Sequence, residues 1–514
     1  MIRRVPPIHP FLIALIPVCS MYAASVGEGQ GKEFLVSCGL ALLVTAMLYA
    51  AAGAAYRDLQ KAALLVSAVL VLLLAYDTLF AGVDRWRIGG WRFGRQRYAL
   101  VGSYGLLGCL AVWLFRTRRS LATLTGFLTV VAAGMLLVPA VRVVPTYLGR
   151  ELHAQAGGSA QEIFQATREP RPLPDIYYLI FDRYGDAATI QESYGYDNGP
   201  FYRDLQAKGF YVAGASRSNY IKTPLSLASS LNLTLLDEGT LGASPDSTDW
   251  ASTYRMVENH RLGRFLRARG YTYVHAGSWW WPTRRSPYAA RNINSYPWTP
   301  RSLLVLLNSG LVHPIFERTG SPWLDDRRQQ WSRATRDMQE LETIPALPGP
   351  KFVFAHVLVP HPPNVFNRDG SFLKSADEDK RTDQQNYVNQ LIATNTKIVA
   401  LIDRILRDSK NPPIVVLQGD EGPYPLGTRQ PGFDWHGATR AQLRDKSGIL
   451  NAYYFPPGPS PRLYASITPV NSFRLILNEY FGTALAPLPD TTYAHQSDYR
   501  PYMLQDITGL VREP

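Results

Sequence analysis

Two apolar, strand-like runs of this chain each lead into acidic residues, a placement suited to holding a metal ion. The run Ile176–Phe181 is followed by Asp182, and the run Ile414–Gln418 is followed, after one glycine, by Asp420 and Glu421. Continuous apolar runs are typical of buried parallel strands, and ligands in open α/β sheets bind at the carboxyl ends of such strands. We therefore expect these carboxylates to meet at one edge of a sheet.

A threonine between the two acidic positions is the candidate nucleophile. Thr223 has a residue type that suits an N-cap, and Pro224 suits the first position of a helix. The N-terminus of a helix presents free N–H groups and a partial positive charge, which would stabilise an oxyanion on Thr223. Together with the strand-end carboxylates, the pattern indicates a metal-activated threonine nucleophile.

The cysteines exclude several kinds of site. All three cysteines lie in apolar segments near the N-terminus, at Cys19, Cys38 and Cys109, so residues 151–514 contain none. This part of the chain therefore has no thiol nucleophile, no disulfide and no cysteine-ligated zinc site.

The basic charge is confined to one part of the chain. Residues 1–150 contain 15 Lys+Arg and 5 Asp+Glu, a balance of +10, whereas the remaining residues contain 38 and 36, a balance of +2. The excess flanks apolar segments instead of forming a basic domain. We therefore predict no nucleic-acid partner.

Five apolar stretches before residue 150 predict a membrane domain. Most are near the ~20 residues that cross a ~30 Å hydrocarbon core; the stretches are Pro10–Ala24, Phe34–Tyr56, Ala62–Val83, Tyr98–Phe115 and Leu121–Val144. An odd number of spans puts the N-terminus and the large C-terminal part on opposite sides. Basic residues near the first helices favour a cytoplasmic N-terminus. The prediction is a multi-pass protein of the plasma (inner) membrane with an extracytoplasmic C-terminal domain.

The remainder of the chain alternates strand-like and helical patterns. The predicted strands are Ile176–Phe181, Phe210–Ala213, Tyr271–His275, Phe352–Val359, Ile414–Gln418 and Ala452–Phe455. The predicted helices are Phe201–Lys208, Val257–Ala268, Arg327–Leu341, Gln384–Leu406 and Asn471–Tyr480. This alternation predicts an α/β domain with a mostly parallel sheet and helices on both faces. We place the membrane domain at 1–150, a linker rich in glycine and proline at 151–174, and the α/β domain at 175–514.

The order of these motifs resembles a known family. A strand followed by aspartate, then Lys222-Thr223-x-x-Ser226, then His361-Pro362-Pro363, then Asp420-x-Gly422, is similar to the sulfatase-like branch of the alkaline phosphatase superfamily. The nearest resemblance is to phosphoglycerol transferases of the lipoteichoic acid synthase type, which also carry five membrane helices before the catalytic domain. The segment Tyr464–Tyr480 is also similar to sulfatase-like membrane proteins.

The resemblance implies a set of metal ligands. It places Asp182, Thr223, Asp420 and Glu421 at the metal positions, with Thr223 also the nucleophile. The family usually has histidine where this chain has Glu421, which makes metal identity and activity depend on this residue. The set contains only oxygen ligands, which favours Mg²⁺ or Mn²⁺ over Zn²⁺. Two-zinc members need further ligands in an Asp-x-x-x-His spacing that is not found here, so one metal ion is expected.

The resemblance also implies substrate contacts. His361 and His275 match histidines that contact the transferred group, while Lys222 and Arg284 supply positive charge for phosphate oxygens. A simpler interpretation exists for each of these residues. A histidine at a strand end is often only a satisfied structural residue, and a strand-end aspartate often only caps the next helix.

The implied reaction is transfer of a phospho-alcohol group, such as phosphoglycerol, from a membrane-lipid headgroup to a glycan or to water. The main alternative is a membrane protein that keeps the fold as a binding or assembly module without catalysis, an interpretation that Glu421 supports. A sulfatase-type ester hydrolase is a lesser alternative, because residue 223 is neither the cysteine nor the serine that becomes formylglycine in sulfatases.

Overall fold

The computed structural model describes residues 7–24, 31–81, 87–88, 91–92, 96–155, 164–168, 172–294, 325–430, 432–458 and 460–512. The chain divides into two compact units. The first is Met1–Ser159 with Pro297–Gln329, and the second is Ala160–Tyr296 with Gln330–Pro514.

The first unit contains the five helices that the apolar stretches predict. They are His9–Ala24, Gly31–Tyr56, Leu59–Ala81, Gln96–Arg116 and Ala122–Gln155, accompanied by two short strands, β1 (Arg87–Ile88) and β2 (Trp91–Arg92). Among the residues that the structure describes, two segments within these helices, Phe34–Tyr56 and Ala122–Pro139, are long and apolar enough to cross a membrane. The other apolar helical segments, His9–Ala23, Leu59–Leu73 and Val101–Arg116, are shorter. The helices are thus confirmed, and the count of five membrane spans stays a prediction.

The second unit is built on a seven-stranded sheet. Its strands are β3 (Asp175–Phe181), β4 (Tyr211–Val212), β5 (Thr272–Ala276), β6 (Arg291–Ile293), β7 (Lys351–Val357), β8 (Pro413–Gln418) and β9 (Asn451–Tyr454), arranged in the order β4-β9-β8-β3-β7-β5-β6. The neighbours from β8 through β6 are parallel, whereas β9 runs antiparallel to both β8 and β4. The predicted mostly parallel sheet is therefore confirmed.

Helices connect the strands and cover the sheet. They are Ala187–Tyr194, Gly199–Ala207, Thr223–Asn232, Glu238–Leu241, Ala251–Glu258, Arg261–Arg267, Trp281–Arg284, Asp326–Leu341, Ser375–Glu378, Asp383–Asp408, Arg440–Ser447, Pro469–Phe481 and Thr508–Arg512, with a single 3-10 turn at Trp435–Gly437. A separate hairpin of β10 (Tyr493–Ser497) and β11 (Arg500–Asp506) precedes the last helix.

Alternate residues of β3 enter two different cores, one on each face of the sheet. Tyr177, Leu179 and Phe181 pack into the first core, and Ile176 and Tyr178 pack into the second. Successive side chains of a strand point to opposite faces, so a strand covered on both sides must be apolar at every position. This requirement explains the unbroken apolar run before Asp182.

A buried ion pair lies where strands β3 and β7 begin, at the end of the sheet opposite Asp182. The Lys351 Nζ atom lies 2.5 Å from Asp175 Oδ2, and both side chains are almost fully buried. The Asn411 side chain also donates to Asp175 Oδ1, at 3.2 Å. This pair anchors the amino ends of two neighbouring strands.

The predicted strands and helices are present in the structure with shifted boundaries, with one exception. The expected helix Val257–Ala268 is two helices, separated by an N-cap at His260. Strand β6, the hairpin β10–β11 and several helices, such as Ala187–Tyr194 and Arg440–Ser447, do not appear among the predicted elements. Part of the predicted linker also packs on the second unit, because Phe164 contacts Phe265 with ring centroids 6.1 Å apart.

Candidate active site

Asp182 lies in a tight turn at the carboxyl end of β3. Its backbone N–H continues the sheet by donating to the carbonyl of Val357 at 3.0 Å, and the turn closes with a bond from Tyr184 N to Phe181 O. The next residue, Arg183, has φ of +61°. A positive φ is costly for a residue with a side chain and persists where the surroundings hold it in place.

The second acidic pair follows β8 and packs tightly against this turn. Gly419 approaches it so closely that a Cβ atom would lie 2.6 Å from the carbonyl oxygen of Tyr184. Arg183 N donates to Asp420 Oδ1 at 3.0 Å. The ends of β3 and β8 are thus held together by backbone contacts, and Asp182 and Asp420 meet at one edge of the sheet as the sequence predicts.

Thr223 is the first residue of the helix Thr223–Asn232, so the N-cap position falls on Lys222, one residue earlier than predicted. The Thr223 hydroxyl is close enough to the Asp420 carboxylate to favour its charged form. A second hydroxyl of the same helix, that of Ser226, donates to the backbone carbonyl of Asp420 at 2.6 Å. The start of this helix is therefore fixed against the acidic turn.

The third member of the cluster is a histidine that the sequence interpretation missed. His356 is fully buried in β7, where it pairs in register with Ile180, and its Nε2 atom lies 3.6 Å from Asp182 Oδ2. One ligand atom from each of Asp182, His356 and Asp420 falls within 4.8 Å of the others. Two carboxylates and one imidazole at this separation form a candidate metal site.

The hydrogen-bonding state of these side chains fits a metal ion. Asp182 Oδ1, His356 Nε2 and Asp420 Oδ2 are buried and have no hydrogen-bond partner within the described ranges. Buried polar atoms are normally paired, so three unpaired atoms in one cluster call for an additional partner. A divalent cation held by these three residues would supply such a partner.

The second ring nitrogen of His356 is bonded to a hydroxyl group. His356 Nδ1 lies 2.8 Å from Thr283 Oγ1, and the backbone carbonyl of Thr283 lies 2.7 Å from His275 Nε2. A metal-binding histidine usually has its second nitrogen bonded in this way, which orients the ring. His275 Nδ1 is bonded in turn to Tyr273 OH at 3.0 Å. Both ring nitrogens of His275 therefore have hydrogen-bond partners within the protein, and Thr283 links His275 to His356.

Glu421 lies beside the cluster but is engaged by two cations. Its Oε1 atom is 3.0 Å from Arg183 Nε and 2.8 Å from Lys446 Nζ. The ring of Tyr424 completes this group, with the Arg183 guanidinium 3.7 Å and the Lys446 ammonium 4.3 Å from the ring centroid. Lys446 comes from the helix Arg440–Ser447, which is distant in sequence from β3. We refer to Arg183, Glu421, Tyr424 and Lys446 as the cationic cluster.

Burial and neighbouring charges perturb the two aspartates in opposite directions. Burial, with the negative charges of Asp182 and Glu421, raises the pKa of Asp420 well above its usual range. Burial also opposes ionisation of Asp182, yet the pKa of Asp182 lies below its usual range because His361, His356 and Arg183 are close. A bound cation would favour the charged form of both carboxylates.

Two other predicted substrate-contacting residues lie near the cluster. His361 is close to Asp182 and Arg183, and enclosure by the protein lowers its pKa to about 3, with the Arg183 charge acting in the same direction. Its imidazole is therefore neutral at physiological pH. Lys222 forms an ion pair of 2.5 Å with Asp498, and Asp498 lies 3.5 Å from the buried ring of His495.

The remaining predicted substrate-binding residue is Arg284. It ends the short helix Trp281–Arg284 and is half-buried. Its neighbour Thr283 contacts His356, so Arg284 lies one residue from the histidine that the structure adds to the site. The predicted role of Arg284 in binding substrate stays a prediction.

A cavity adjoins the histidine of the cluster. It has a volume of about 20 Å³, enough for about one water molecule, and its lining includes Gly277, Trp279, Arg333, Asp337 and His356. The cavity lies on the β7 side of the sheet edge. It offers space for a small polar group next to the candidate metal site.

No protein-family model matches this chain, and no curated protein matches it. Solved structures do match, among them the periplasmic domain of EptC from Escherichia coli in complex with Zn, at 11% identity and a TM-score of 0.44 over 67% of this chain and 94% of that one.

Two further solved structures represent the other matches. One is the integral membrane lipooligosaccharide phosphoethanolamine transferase EptA from Neisseria meningitidis, at 12% identity and a TM-score of 0.35 over 88% of this chain and 87% of that one. The other is BT1596, a 2-O GAG sulfatase, at 12% identity and a TM-score of 0.38 over 63% of this chain and 78% of that one. These three similar structures are thus of two phosphoethanolamine transferases and one sulfatase.

Proposed function

We propose that the protein is a membrane-anchored, metal-dependent enzyme that moves a phospho-alcohol group from a lipid headgroup to a glycan or to water, with Thr223 as nucleophile. One observation carries this proposal. The Thr223 hydroxyl, at the start of a helix, adjoins a cluster of three buried ligand atoms that lack hydrogen-bond partners within the described chain. Asp182, His356 and Asp420 are the residues that would hold the metal ion.

The residues around Thr223 suggest how the reaction proceeds. Thr223 Oγ1 forms a bond to phosphorus while the bond from phosphorus to the lipid alcohol breaks, leaving the phospho-alcohol group esterified to Thr223. Asp420, which lies beside the hydroxyl, is placed to receive the threonine proton and to pass it to the departing lipid alkoxide, which leaves as the alcohol. The neutral imidazole of His361 supplies a hydrogen-bonding group for the substrate. The acceptor hydroxyl then attacks phosphorus and regenerates Thr223.

A metal ion bound here would polarise the phosphoryl group and lower the pKa of the threonine hydroxyl. The predicted preference for Mg²⁺ or Mn²⁺ over Zn²⁺ applies to a metal site with oxygen ligands only. With His356 in the cluster, the ligands are mixed, and imidazole is also a good ligand for Zn²⁺. We therefore propose one divalent ion and expect Mn²⁺ and Zn²⁺ to compete for the site.

The membrane segments support a lipid donor. Two helical segments are long and apolar enough to span a bilayer. Anchoring a catalytic domain to the membrane keeps its site close to the plane of lipid headgroups. We propose a multi-pass arrangement with the N-terminus in the cytoplasm and the α/β domain outside.

The function is tested by incubating the detergent-solubilised full chain with vesicles of labelled phosphatidylglycerol and measuring release of diacylglycerol. The proposal predicts release by the wild-type chain, a loss of at least a thousandfold in Thr223→Ala, and partial activity in Thr223→Ser. Ser229→Ala is a matched control, because it removes a buried hydroxyl from the same helix that bonds to Thr234 O instead of the acidic turn. Equal turnover by wild type and Thr223→Ala would exclude Thr223 as the nucleophile, and no turnover by the wild-type chain would favour the non-catalytic alternative.

A further inference from the structure

We infer that Glu421 is not a metal ligand and instead positions Arg183 as a binding group for the phosphoryl oxygens of the substrate. The inference deepens the proposed function and rests on it for the identity of the anion. Glu421 is the residue at which this chain differs from the usual histidine of the family that it resembles, and the inference gives it a role other than metal binding.

The surroundings of Glu421 favour ion pairing over metal binding. Its Oε1 atom accepts from Arg183 Nε at 3.0 Å and from Lys446 Nζ at 2.8 Å, and the side chain is fully buried. A metal ion at Oε1 would lie against two positive charges. The other carboxylate oxygen, Oε2, is buried and has no hydrogen-bond partner among the described residues. Within the described parts of the chain, the group of residues able to hold a metal comprises Asp182, His356 and Asp420 and leaves Glu421 out.

Lys446 neutralises Glu421, so a metal ion bound by Asp182 and Asp420 would leave the charge of Arg183 without a counter-ion. The Lys446 ammonium has three N–H donors, two of which are engaged by Glu421 Oε1 and by the carbonyl oxygen of Gly422 at 3.3 Å. Its side chain is almost fully buried. Lys446 therefore acts as a counter-ion inside the protein. The cationic cluster as a whole carries two positive charges and one negative charge.

The guanidinium of Arg183 is held in one orientation. Besides the bond to Glu421, its Nη2 donates to Tyr424 OH at 2.9 Å, and the guanidinium stacks on the Tyr424 ring. These two bonds use two of its five N–H groups. A fixed guanidinium with donors to spare is well suited to binding phosphate oxygens.

Asp420 connects this guanidinium to the nucleophile. It accepts from the backbone N–H of Arg183 and lies beside the Thr223 hydroxyl. Arg183 Nε also lies 3.8 Å from Asp182 Oδ1, so the guanidinium adjoins the candidate metal site. In phosphoryl transfer, fixed positive charge stabilises the charge that develops on the equatorial oxygens. The positive φ of Arg183 is consistent with a backbone held in a costly conformation to place this side chain.

The test measures metal content and phosphate binding in the detergent-solubilised full chain. Metal content is determined by mass spectrometry after equilibration with Mn²⁺ or Zn²⁺, and inorganic phosphate is titrated into the metal-loaded protein by calorimetry. Arg183→Gly relieves the positive φ and leaves the Glu421–Lys446 pair intact. We expect it to bind one metal ion as the wild type does and to bind phosphate at least tenfold more weakly.

The metal role of Glu421 is tested by Glu421→Gln. We expect it to retain one metal ion per chain, whereas a loss of metal equal to that of Asp420→Asn would overturn the inference. Because Glu421→Gln leaves two buried cations facing an uncharged residue, the double variant Glu421→Gln/Lys446→Met is measured in parallel. It removes one charge of each sign, and its metal content decides the question if the single variant does not fold.

These measurements separate the inference from the proposed function. If the wild-type chain releases no diacylglycerol but Arg183→Gly loses phosphate affinity and keeps its metal, the inference stands and the catalytic proposal fails. If release depends on Thr223 while Arg183→Gly binds phosphate with wild-type affinity, the inference is wrong and the catalytic proposal stands.

Discussion

The backbone N–H of Arg183 donates to Asp420 Oδ1 at 3.0 Å, joining two turns that are 237 residues apart in sequence. The turns follow neighbouring parallel strands, β3 and β8, so the pairing of the strands brings the two carboxylates Asp182 and Asp420 to one place. This contact is made by the backbone of Arg183 and leaves its side chain available for the cationic cluster. Because the acceptor is a side-chain oxygen of Asp420, only a substitution that keeps such an oxygen retains an acceptor for that N–H group.

Asp420→Asn is expected to bind metal at least a hundredfold more weakly while the protein remains folded. The asparagine retains an oxygen that accepts from Arg183 N, but the charge that attracts the cation is gone. Because burial raises the pKa of Asp420, neutralising it should stabilise the metal-free protein by about 1 kcal/mol. Metal titration tests the loss of metal affinity, and thermal unfolding in the presence of a chelator tests the gain in stability. Wild-type metal affinity in this variant would exclude Asp420 as a ligand.

Thr283→Val is expected to weaken metal binding by about tenfold, because the hydroxyl that bonds His356 Nδ1 is lost. The side chains have similar shape, so packing should change little. Thr253→Val is a suitable control, since its buried hydroxyl bonds Tyr502 OH at 2.8 Å and has no contact with the cluster. Competition with a fluorescent metal chelator measures both affinities. Equal affinities in the two variants would show that Thr283 does not orient a metal ligand.

The Asp175–Lys351 pair supplies a prediction about stability alone. Lys351→Met leaves a buried carboxylate without its counter-ion and should lower the free energy of unfolding by about 3 kcal/mol. Asp175→Asn/Lys351→Met removes both charges and should recover most of that loss. Denaturation followed by intrinsic fluorescence provides the comparison. Because the pair lies at the other end of the sheet, metal content should be unchanged in both variants, and a double variant no more stable than the single one would contradict the argument.

His260 is expected to make the second unit sensitive to acid. Burial, with the nearby charges of His275 and two arginines, lowers the pKa of His260 to about 3. Since the unfolded chain protonates near pH 6.5, unfolding takes up a proton below that pH, and stability falls as pH decreases from about 6.5 towards 3. The contribution amounts to about 2 kcal/mol between pH 6.5 and 5.

His260→Asn tests this effect directly. Asparagine can still cap the helix Arg261–Arg267, where His260 Nδ1 accepts from Gly263 N at 2.9 Å, but it does not titrate. Unfolding free energies measured from pH 8 to pH 4.5 should therefore show a shallower slope in the variant. A slope identical to that of the wild type would show that His260 does not contribute.

Much of the fold follows from periodicity in the sequence. The runs that become β3, β7 and β8 are apolar at nearly every position because both faces of the sheet are covered, and this pattern is visible without a structure. The hairpin β10–β11 lacks such a pattern. Its sequence mixes polar and aromatic residues, and its burial depends on contacts with distant parts of the chain.

The candidate site could also be predicted only in part, because strand register and tertiary contacts bring some of its residues together. Asp182 and Asp420 end apolar strands, and this position marks them as candidates. His356 lies inside an apolar run, where a single histidine is usually a satisfied core residue, and only the register of β7 against β3 places it beside Asp182. The interaction of Glu421 with Arg183 and Lys446 depends on tertiary contacts that spacing in the sequence does not reveal.

The most direct test of the central claim is mass spectrometry of the peptide that contains Thr223. The metal-loaded full chain is incubated with vesicles of labelled phosphatidylglycerol, quenched in acid and digested. If Thr223 is the nucleophile, a phosphoglycerol adduct forms on Thr223, is absent from Thr223→Ala and is present in Ser229→Ala. An unmodified Thr223 in protein that turns over the lipid, or an adduct on another residue, would contradict it.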